Sequence, residues 1–475
     1  MGSPVEKTAR VGGSIVRQRR PPGSLHLLGG DILRRLTTVL TALTVALAGI
    51  VVTGSLLRPA EAAWKATPRN FAGYAFDTWT APPQTTMDAW WVSSPYTGVG
   101  IYTSGVNRFD EVQPELTPTW VATQASRGWK LLPIHVGLQA SCGHPEKDWE
   151  RIDPNPAGGY AAARAQGVAE ADQAVAAAQA LGIAGGSTLW YDLEAFNTND
   201  AACRDSALAL VSGWTERLHQ VGFKSGFYSS AASGIAMLDD ARVDTTDPWV
   251  LPDQIWIAHY VSRNDCKLSW GTTSSEYVSD DAWPRNRLRQ FCGTHTETYG
   301  GVSLSIDSNY LDFGKGAQPI GSKRKCGTTV DHKKYPALKR GKRGDKVEAL
   351  QCFLKKANAY HGRVHGKYHK GTVKAVKRFF QRRADLPVSG KATKRTWTAL
   401  LAKGGDPLLK YGSRKAAVRR LQRTLNAAEG SRLDVTGFYD RKTQREVKSY
   451  QRGRGRPGTG VVTRDVWDLM QQGRR

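Results

Sequence analysis

Between residues 63 and 319, short apolar segments alternate with longer stretches of helical or loop character. The apolar segments have the length and the β-branched or aromatic content of strands. The stretches between them include the alanine-rich Tyr160–Leu181 and the amphipathic Ser206–Gln220, both of which favour helices. The eight candidate strands are GYAFDTW from Gly73, GVGIYTSG from Gly98, WKLLPIHVG from Trp129, STLWYDLEAF from Ser187, GFKSGFYSS from Gly222, QIWIAHYV from Gln254, LRQFCG from Leu288 and VSLSIDSNYLD from Val302.

Eight strands with this spacing predict an α/β fold of the (β/α)8 type, a TIM-like barrel. A doubly wound sheet is the alternative. The last two strands lie too close together for a crossover helix, so we expect the barrel to be irregular there.

The fourth candidate strand carries two carboxylates on one face. Side chains alternate along a strand, so Leu189, Tyr191 and Leu193 point to one side. Asp192 and Glu194, together with Trp190, then point to the other side. Buried carboxylates are costly unless they are paired or used, so this face is not an ordinary core.

Two further strands place a carboxylate at the same end. In the first, alternation directs Asp77 inwards, and in the last it directs Asp307 and Asn309 inwards. Active sites of such barrels lie at the carboxyl ends of the strands, so we expect four carboxylates at one mouth. The alternative is that each acid is a strand-end cap or an ion-pair partner.

Carboxylates with aromatic platforms suit the cleavage of a glycosidic bond. One acid must be protonated to donate to the leaving oxygen, and another must be charged to stabilise an oxocarbenium-like centre. Core packing is the alternative role for each tryptophan. The predicted substrate-binding residues are Trp79, Trp190, Tyr228, Trp256, Tyr260, Gln290 and Asn309.

The C-terminal part contains an internal repeat of about 70 residues. Leu338–Leu354 aligns with Leu409–Leu425 at an offset of 71, and Trp397 aligns with Trp467 at an offset of 70. Apolar residues with i, i+3, i+7 spacing predict two small all-α modules of three helices each. We expect both tryptophans in the module cores and Asp345 as a helix N-cap.

Charge and an N-terminal segment bear on the compartment. Residues 320–475 carry a net charge of +30, against −10 for residues 63–319 and +5 for residues 1–62. A strongly basic region suggests binding to nucleic acid, but an export signal would argue against this. Arg34 and Arg35 precede an uncharged apolar run and the small-x-small sequence Ala60-Glu61-Ala62. This pattern is typical of a signal peptide; a membrane anchor is the alternative.

The order of these motifs resembles the family 25 glycoside hydrolases, the muramidases, and more closely an exported glycoside-hydrolase-like family of actinobacteria. The resemblance covers roughly residues 71–313. It implies that Glu194 is the proton donor and Asp192 its supporting partner, with Asp77 and Asp307 lining the same cleft. The repeats resemble the bacterial peptidoglycan-binding domain family, through their LQ-x-x-L and G-x-x-T-x-x-x-W elements.

Six cysteines follow the signal segment, and none forms a CxxC pair, so disulfides are expected outside the cell and metal binding is not. Cys326 lies just before the first repeat and Cys352 in its first helix, and neither has a counterpart in the second repeat. Cys142 and Cys203 follow adjacent candidate strands, whereas Cys266 follows the sixth and Cys292 ends the seventh, so each pair can meet. The predicted pairs are Cys142–Cys203, Cys266–Cys292 and Cys326–Cys352.

Together these observations predict a secreted, wall-associated, monomeric glycoside hydrolase of peptidoglycan. We expect no cofactor, metal, nucleic acid or, after signal cleavage, membrane. A non-catalytic wall-binding protein with a degenerate barrel is the alternative. The predicted organisation is a signal peptide (1–62), a barrel (63–318), a basic linker (319–333) and modules at 334–402 and 405–473.

Overall fold

In the computed structural model, eight strands form a closed barrel in which neighbours in sequence are neighbours in space. The structure describes residues 64 and 70–475, apart from 110–111, 245–248, 261–265, 267–271, 273–275, 315–325 and 382–387. The predicted signal segment lies outside these residues. The strands are β1 (Phe71–Asp77), β2 (Tyr96–Ser104), β3 (Lys130–His135), β4 (Thr188–Asp192), β5 (Lys224–Ser230), β6 (Gln254–Ala258), β7 (Asn286–Tyr299) and β8 (Val302–Phe313).

The irregularity expected at the last two strands is confirmed. β7 and β8 form an antiparallel hairpin, and β8 also pairs antiparallel with β1, whereas β1 to β7 run parallel. β8 therefore enters the barrel at the mouth and runs towards the opposite end. In this register Asp307 lies beside Asp77 and Asn309 lies beside Ala75, one step deeper.

A helix follows each of the first five strands. A π-helical turn, Ala231–Ile235, precedes the last of these helices. Among the described residues, no helix is long and apolar enough to cross a membrane. The barrel helices are α1 (Gln84–Ser93), α2 (Pro118–Arg127), α3 (Ala157–Ala180), α4 (Ala201–Gln220) and α5 (Ala236–Val243).

Both C-terminal modules have three helices, as the repeat predicts. Trp397 and Trp467 are fully buried, and each indole N–H donates to a proline carbonyl of its own module at 2.8 Å. The expectation for Asp345 is wrong: Gly344 occupies the cap position, and Asp345 is the first residue of the helix. The module helices are α6 (Asp345–Lys356), α7 (Lys370–Gln381), α8 (Lys394–Ala402), α9 (Ala416–Ala428), α10 (Arg441–Arg452) and α11 (Arg464–Gln471).

The second module packs on the outer face of the β7–β8–β1 sheet. Tyr74, Phe291 and Tyr310 project from these three strands into the same apolar cluster as Tyr411 of the module. The rings of Tyr74 and Tyr411 lie 4.9 Å apart, and the hydroxyls of Tyr310 and Tyr411 are within 3.0 Å. The module is thus joined to the barrel through this cluster.

A buried lysine fixes the same contact. Lys410 is 2% exposed, and its ammonium donates to the backbone carbonyls of Trp91 and Tyr96. It lies 3.9 Å from the ring centre of Trp91 and 4.9 Å from that of Trp129. Carbonyl oxygens and aromatic faces replace part of the lost hydration of the cation.

The two modules also contact each other. Asp331, which leads into the first module, accepts hydrogen bonds from Arg419 at 2.9 Å and from Arg423 at 2.6 Å. All three side chains are largely buried. A buried ion pair with this geometry restricts the relative orientation of the modules.

The structure contains the three predicted disulfides. Cys142–Cys203 joins the loop after β3 to the start of α4, Cys266–Cys292 joins the segment after β6 to β7, and Cys326–Cys352 ties the start of the first module to α6. Their Cα atoms are 5.8, 4.8 and 5.8 Å apart, within the range that a disulfide spans.

Candidate active site at the barrel mouth

The four carboxylates predicted at the mouth meet there. Asp77 and Asp307 line a cavity of about 230 Å³, and Asp192 and Glu194 line an adjoining one of about 180 Å³. Trp79 borders both cavities. Asp77 and Asp192 are almost fully buried, whereas Glu194 is half-buried, two positions nearer the mouth.

The local sequence makes room for Asp77 through a glycine on β2. A Cβ atom at Gly100 would lie 2.6 Å from the Cβ of Asp77, so a larger residue would displace the aspartate. Two positions further along the same face, the hydroxyl of Tyr102 donates to Oδ2 of Asp77 at 3.1 Å. The alternation of β2 therefore places a glycine below, and a tyrosine beside, the carboxylate.

A chain of hydrogen bonds rises from the barrel interior to Asp77. The indole N–H of Trp256 donates to Oδ1 of Asn309 at 2.8 Å, and the amide nitrogen of Asn309 donates to Oδ1 of Asp77. The indole has only a donor, so it fixes which end of the asparagine amide faces the carboxylate.

A second chain of the same kind reaches Asp307. The hydroxyl of Tyr228 donates to Oε1 of Gln290 at 3.1 Å, and the amide nitrogen of Gln290 donates to Oδ2 of Asp307 at 3.0 Å. In both chains an aromatic donor orients an amide, and the amide presents its N–H group to an acid. Donors of this kind favour the ionised form of a carboxyl group.

Asp192 has a different environment. Its Oδ1 is buried and has no hydrogen-bond partner. Burial raises the pKa of Asp192 well above its usual value, and the charges of Glu194, Asp77 and Asp307 raise it further. A carboxyl group without donors in such a field favours its protonated form.

The pKa values of the other three acids are raised as well. Burial is the main cause for Asp77, Glu194 and Asp307, and the neighbouring charge of Asp307 also acts on Asp77 and Glu194. For Glu194, His144 opposes this effect. The mouth can therefore hold a proton on one acid while another is charged, which acid–base catalysis requires.

Gln139, which was not predicted from the sequence, holds Asp192 and Glu194 in place. The side chain of Gln139 donates to the carbonyl of Asp192 at 2.8 Å and accepts from the backbone N–H of Glu194 at 2.8 Å. It fixes the backbone immediately after β4 ends. Gln139 follows β3 in a loop, and no periodicity marks it in the sequence.

Aromatic rings at the lip form an open platform. Trp79 is 52% exposed and Phe109 is 74% exposed, with ring centres 4.3 Å apart, and Trp149 borders the same cavity. The side chain of Gln113 holds the Trp79 loop, since it donates to the carbonyl of Trp79 and accepts from the N–H of Ala81. Phe109 and Trp149 lie in loops and were not predicted.

Two predicted platforms are wrong. Trp190 and Trp256 do point into the barrel, but they are 0% and 1% exposed and pack edge to face below the carboxylates. Neither ring has a free face for a sugar, because the narrow barrel interior is filled by side chains. Tyr260 is 36% exposed and borders Gly293, where β7 leaves the mouth.

One group of possible metal ligands occurs among the described residues, namely Cys266, Cys292 and His295. The two cysteines form a disulfide, so they offer no thiolate to a metal ion.

A closed barrel with clustered acids and an aromatic lip defines a glycoside-hydrolase type of domain. Residues 88–311 match the Rv2525c-like, glycoside hydrolase-like domain, and residues 343–400 and 414–470 match the peptidoglycan binding domain. The barrel thus matches the model of the Rv2525c-like glycoside hydrolase-like domain, and two matches to the peptidoglycan binding domain follow it. No curated protein matches the chain significantly.

Several solved structures resemble half of the chain at low identity. The spore cortex lytic enzyme SleM of Clostridium perfringens is 14% identical, with a TM-score of 0.33 over 50% of this chain and 67% of that one. The Tat-secreted protein Rv2525c of Mycobacterium tuberculosis is 13% identical, with a TM-score of 0.33 over 50% of this chain and 95% of that one. A family 25 glycosyl hydrolase from Bacillus anthracis is 14% identical, with a TM-score of 0.29 over 52% of this chain and 91% of that one.

Proposed function

We propose that this protein is a secreted hydrolase that cleaves glycosidic bonds in the glycan strand of peptidoglycan. The observation that carries the proposal is the open cluster of four carboxylates beside Trp79, in one chain with two peptidoglycan-binding domains. The acids supply the chemistry, the rings supply a sugar platform, and the modules select the polymer.

In the proposed mechanism Glu194 is the general acid. It lies beyond the end of β4, towards the mouth, and burial raises its pKa, which favours the protonated form that a general acid needs. The proton passes to the glycosidic oxygen as the bond from that oxygen to the anomeric carbon breaks. A water molecule supplies the hydroxyl to the anomeric carbon, and its second proton returns to the carboxylate.

The other acids support this step. Asp77 and Asp307 accept hydrogen bonds from oriented amides, which oppose the effect of burial and favour their ionised forms near a developing positive centre. Asp192 lies below Glu194, and burial together with the charge of Glu194 favours its protonated form, so it adds little negative charge to the site. Gln139 keeps the two β4 acids in register.

The modules provide retention at the wall. Residues 320–475 carry a net charge of +30, which suits anionic wall polymers. Retention raises the local concentration of substrate at the barrel mouth. Export through the N-terminal segment, and a location outside the cell, complete the proposal.

The test is release of reducing ends from purified peptidoglycan by wild-type protein and by Glu194→Gln. We expect the substitution to abolish release while sedimentation with walls is unchanged. Glu216→Gln, at a surface ion pair on α4, is the matched control and should retain activity.

Two outcomes contradict the proposal. Equal release by wild type and Glu194→Gln would exclude Glu194 as the acid. Wall binding without any release by the wild type would instead support a degenerate barrel that only binds wall glycan.

A further inference from the structure

We propose that the cleft between the two helical modules is a binding site for a short peptide with free carboxylates, as the peptide stems of peptidoglycan present. The inference rests on the proposed wall function and names the part of the wall that this surface recognises. The cleft has a volume of about 510 Å³ and both modules contribute to it. This volume is in the range of clefts that take small ligands.

The floor of the cleft is apolar and comes mainly from the first module. Phe353 near the end of α6, and Leu400 and Leu401 near the end of α8, are more than nine-tenths buried and line it. Ala416 and Ala417 at the start of α9 form the opposite wall. Such a surface suits methyl and methylene groups and disfavours a purely ionic polymer.

The rim is cationic. Lys356 of the first module and Lys403 directly after it are exposed at the cleft, and Arg420 and Arg423 of the second module line it. The guanidinium of Arg423 is already paired with Asp331. The two lysines and Arg420 are therefore the cations that can respond to a bound anion.

Arg420 is held firmly in place. Its guanidinium lies 3.9 Å from the ring centre of Trp467 and donates to the carbonyls of Ala402 and Gly405. A guanidinium has five N–H donors, so it retains donors beyond these two contacts. A pre-organised cation loses little conformational freedom when an anion binds.

The start of α9 adds to the positive field. Its N-cap, Lys415, makes no side-chain cap bond, and the first turn contains no acid. The equivalent helix α6 carries Asp345 and Glu348 in its first turn. No acid in the first turn of α9 therefore offsets the positive end of its dipole.

Comparison of the repeats shows that this charge is not a general property of the module. Every cation of the cleft has an uncharged counterpart in the other repeat, although both modules keep the same core. The charges therefore mark the faces that meet only in the tandem arrangement. The aligned pairs are Lys356 with Ala427, Lys403 with Gly473, Arg420 with Ala349, and Arg423 with Cys352.

The experiment titrates the full-length chain with the soluble stem tetrapeptide released from purified walls, followed by calorimetry. We expect saturable binding that Lys356→Ala/Lys403→Ala weakens at least tenfold. Lys370→Ala/Lys442→Ala, which removes two exposed lysines outside the cleft, is the control and should bind as wild type. Ala417→Glu, which puts a carboxylate into the cleft, should also abolish binding.

Two further titrations identify the chemical group that supplies the negative charge of the ligand. A peptide with amidated carboxylates should bind at least tenfold more weakly, and a soluble poly(glycerol phosphate) should not compete. Equal affinity for the amidated peptide, or full competition by the phosphate polymer, would overturn the proposal.

The two proposals can fail separately. Failure of the peptide to bind, with normal release of reducing ends, would reject this site and leave the hydrolase intact. Binding of the peptide without release of reducing ends would support this site and reject the proposed hydrolase activity.

Discussion

The amide nitrogen of Asn309 on β8 donates a hydrogen bond to Oδ1 of Asp77 on β1. The two residues are not register partners: Asn309 lies opposite Ala75, one side-chain step below Asp77 on the inner face. The contact joins the first and last strands of the barrel and closes it at the site. It also connects the buried indole of Trp256 to an acid at the mouth.

Replacement of Asn309 by aspartate tests whether this contact sets the charge of Asp77. The change removes a donor and adds a negative neighbour, and both effects raise the pKa of Asp77. We expect kcat to fall roughly a hundredfold, or ~2.7 kcal/mol, and the acidic limb of the kcat/KM profile to move to higher pH. Tyr102→Phe, which removes only the second donor, should move the limb less and in the same direction. An unchanged limb in both variants would show that Asp77 is not titrating in catalysis.

Asp192→Asn should stabilise the chain while it lowers activity. Burial and neighbouring acids raise the pKa of Asp192 in the folded state, so above pH ~4 the folded chain holds more protons than the unfolded chain. Stability at this site therefore falls as pH rises through that range. We expect a gain of roughly 0.5–2 kcal/mol at pH 7 and a smaller gain at pH 4, from thermal unfolding. Asp240→Asn, at an exposed site on α5, should give no such difference. A gain that does not depend on pH would contradict the electrostatic explanation.

Trp79→Ala should weaken the binding of a soluble glycan oligomer. The ring borders both cavities and is half exposed, so its loss removes a platform without opening the core. We expect KM to rise about tenfold, or ~1.4 kcal/mol, with kcat nearly unchanged. Val243→Ala, which shortens an exposed apolar residue at the end of α5, is the control. A fall in kcat alone would place Trp79 in the chemical step rather than in binding.

Tyr411→Ala should separate the second module from the barrel. Tyr411 packs on Tyr74 and Tyr310 at the outer face of the barrel, and truncation of a buried aromatic residue costs about 3–5 kcal/mol. We expect wild-type protein to unfold in one transition that includes both parts, and the variant to show an additional early transition and faster proteolysis. Tyr360→Ala in the first module, also buried, should leave the barrel contact intact. One coincident transition in the Tyr411 variant would show that the contact is dispensable.

Much of the barrel could be predicted from local pattern. The period of two along β1, β4 and β8 directs Asp77, Asp192, Glu194 and Asp307 inwards, because the pleat fixes which face each residue occupies. The spacing of the β7 and β8 segments also excluded a crossover helix. The expectation that Asp307 lies at the carboxyl end of its strand is wrong, however: β8 is antiparallel, and it brings Asp307 to the mouth early in its course.

The sequence by itself determined the strands, the inward acids, the two repeats and the cysteine pairs, since these follow from periodicity and from contacts between neighbouring segments. The tertiary structure alone decided which rings are buried, which amides orient the acids and how the modules pack. Trp190 and Trp79 look alike in sequence, yet one is 0% and the other 52% exposed. Exposure, the Trp256–Asn309–Asp77 chain and the cleft between the modules all depend on residues far apart in the chain. No local pattern encodes those distances.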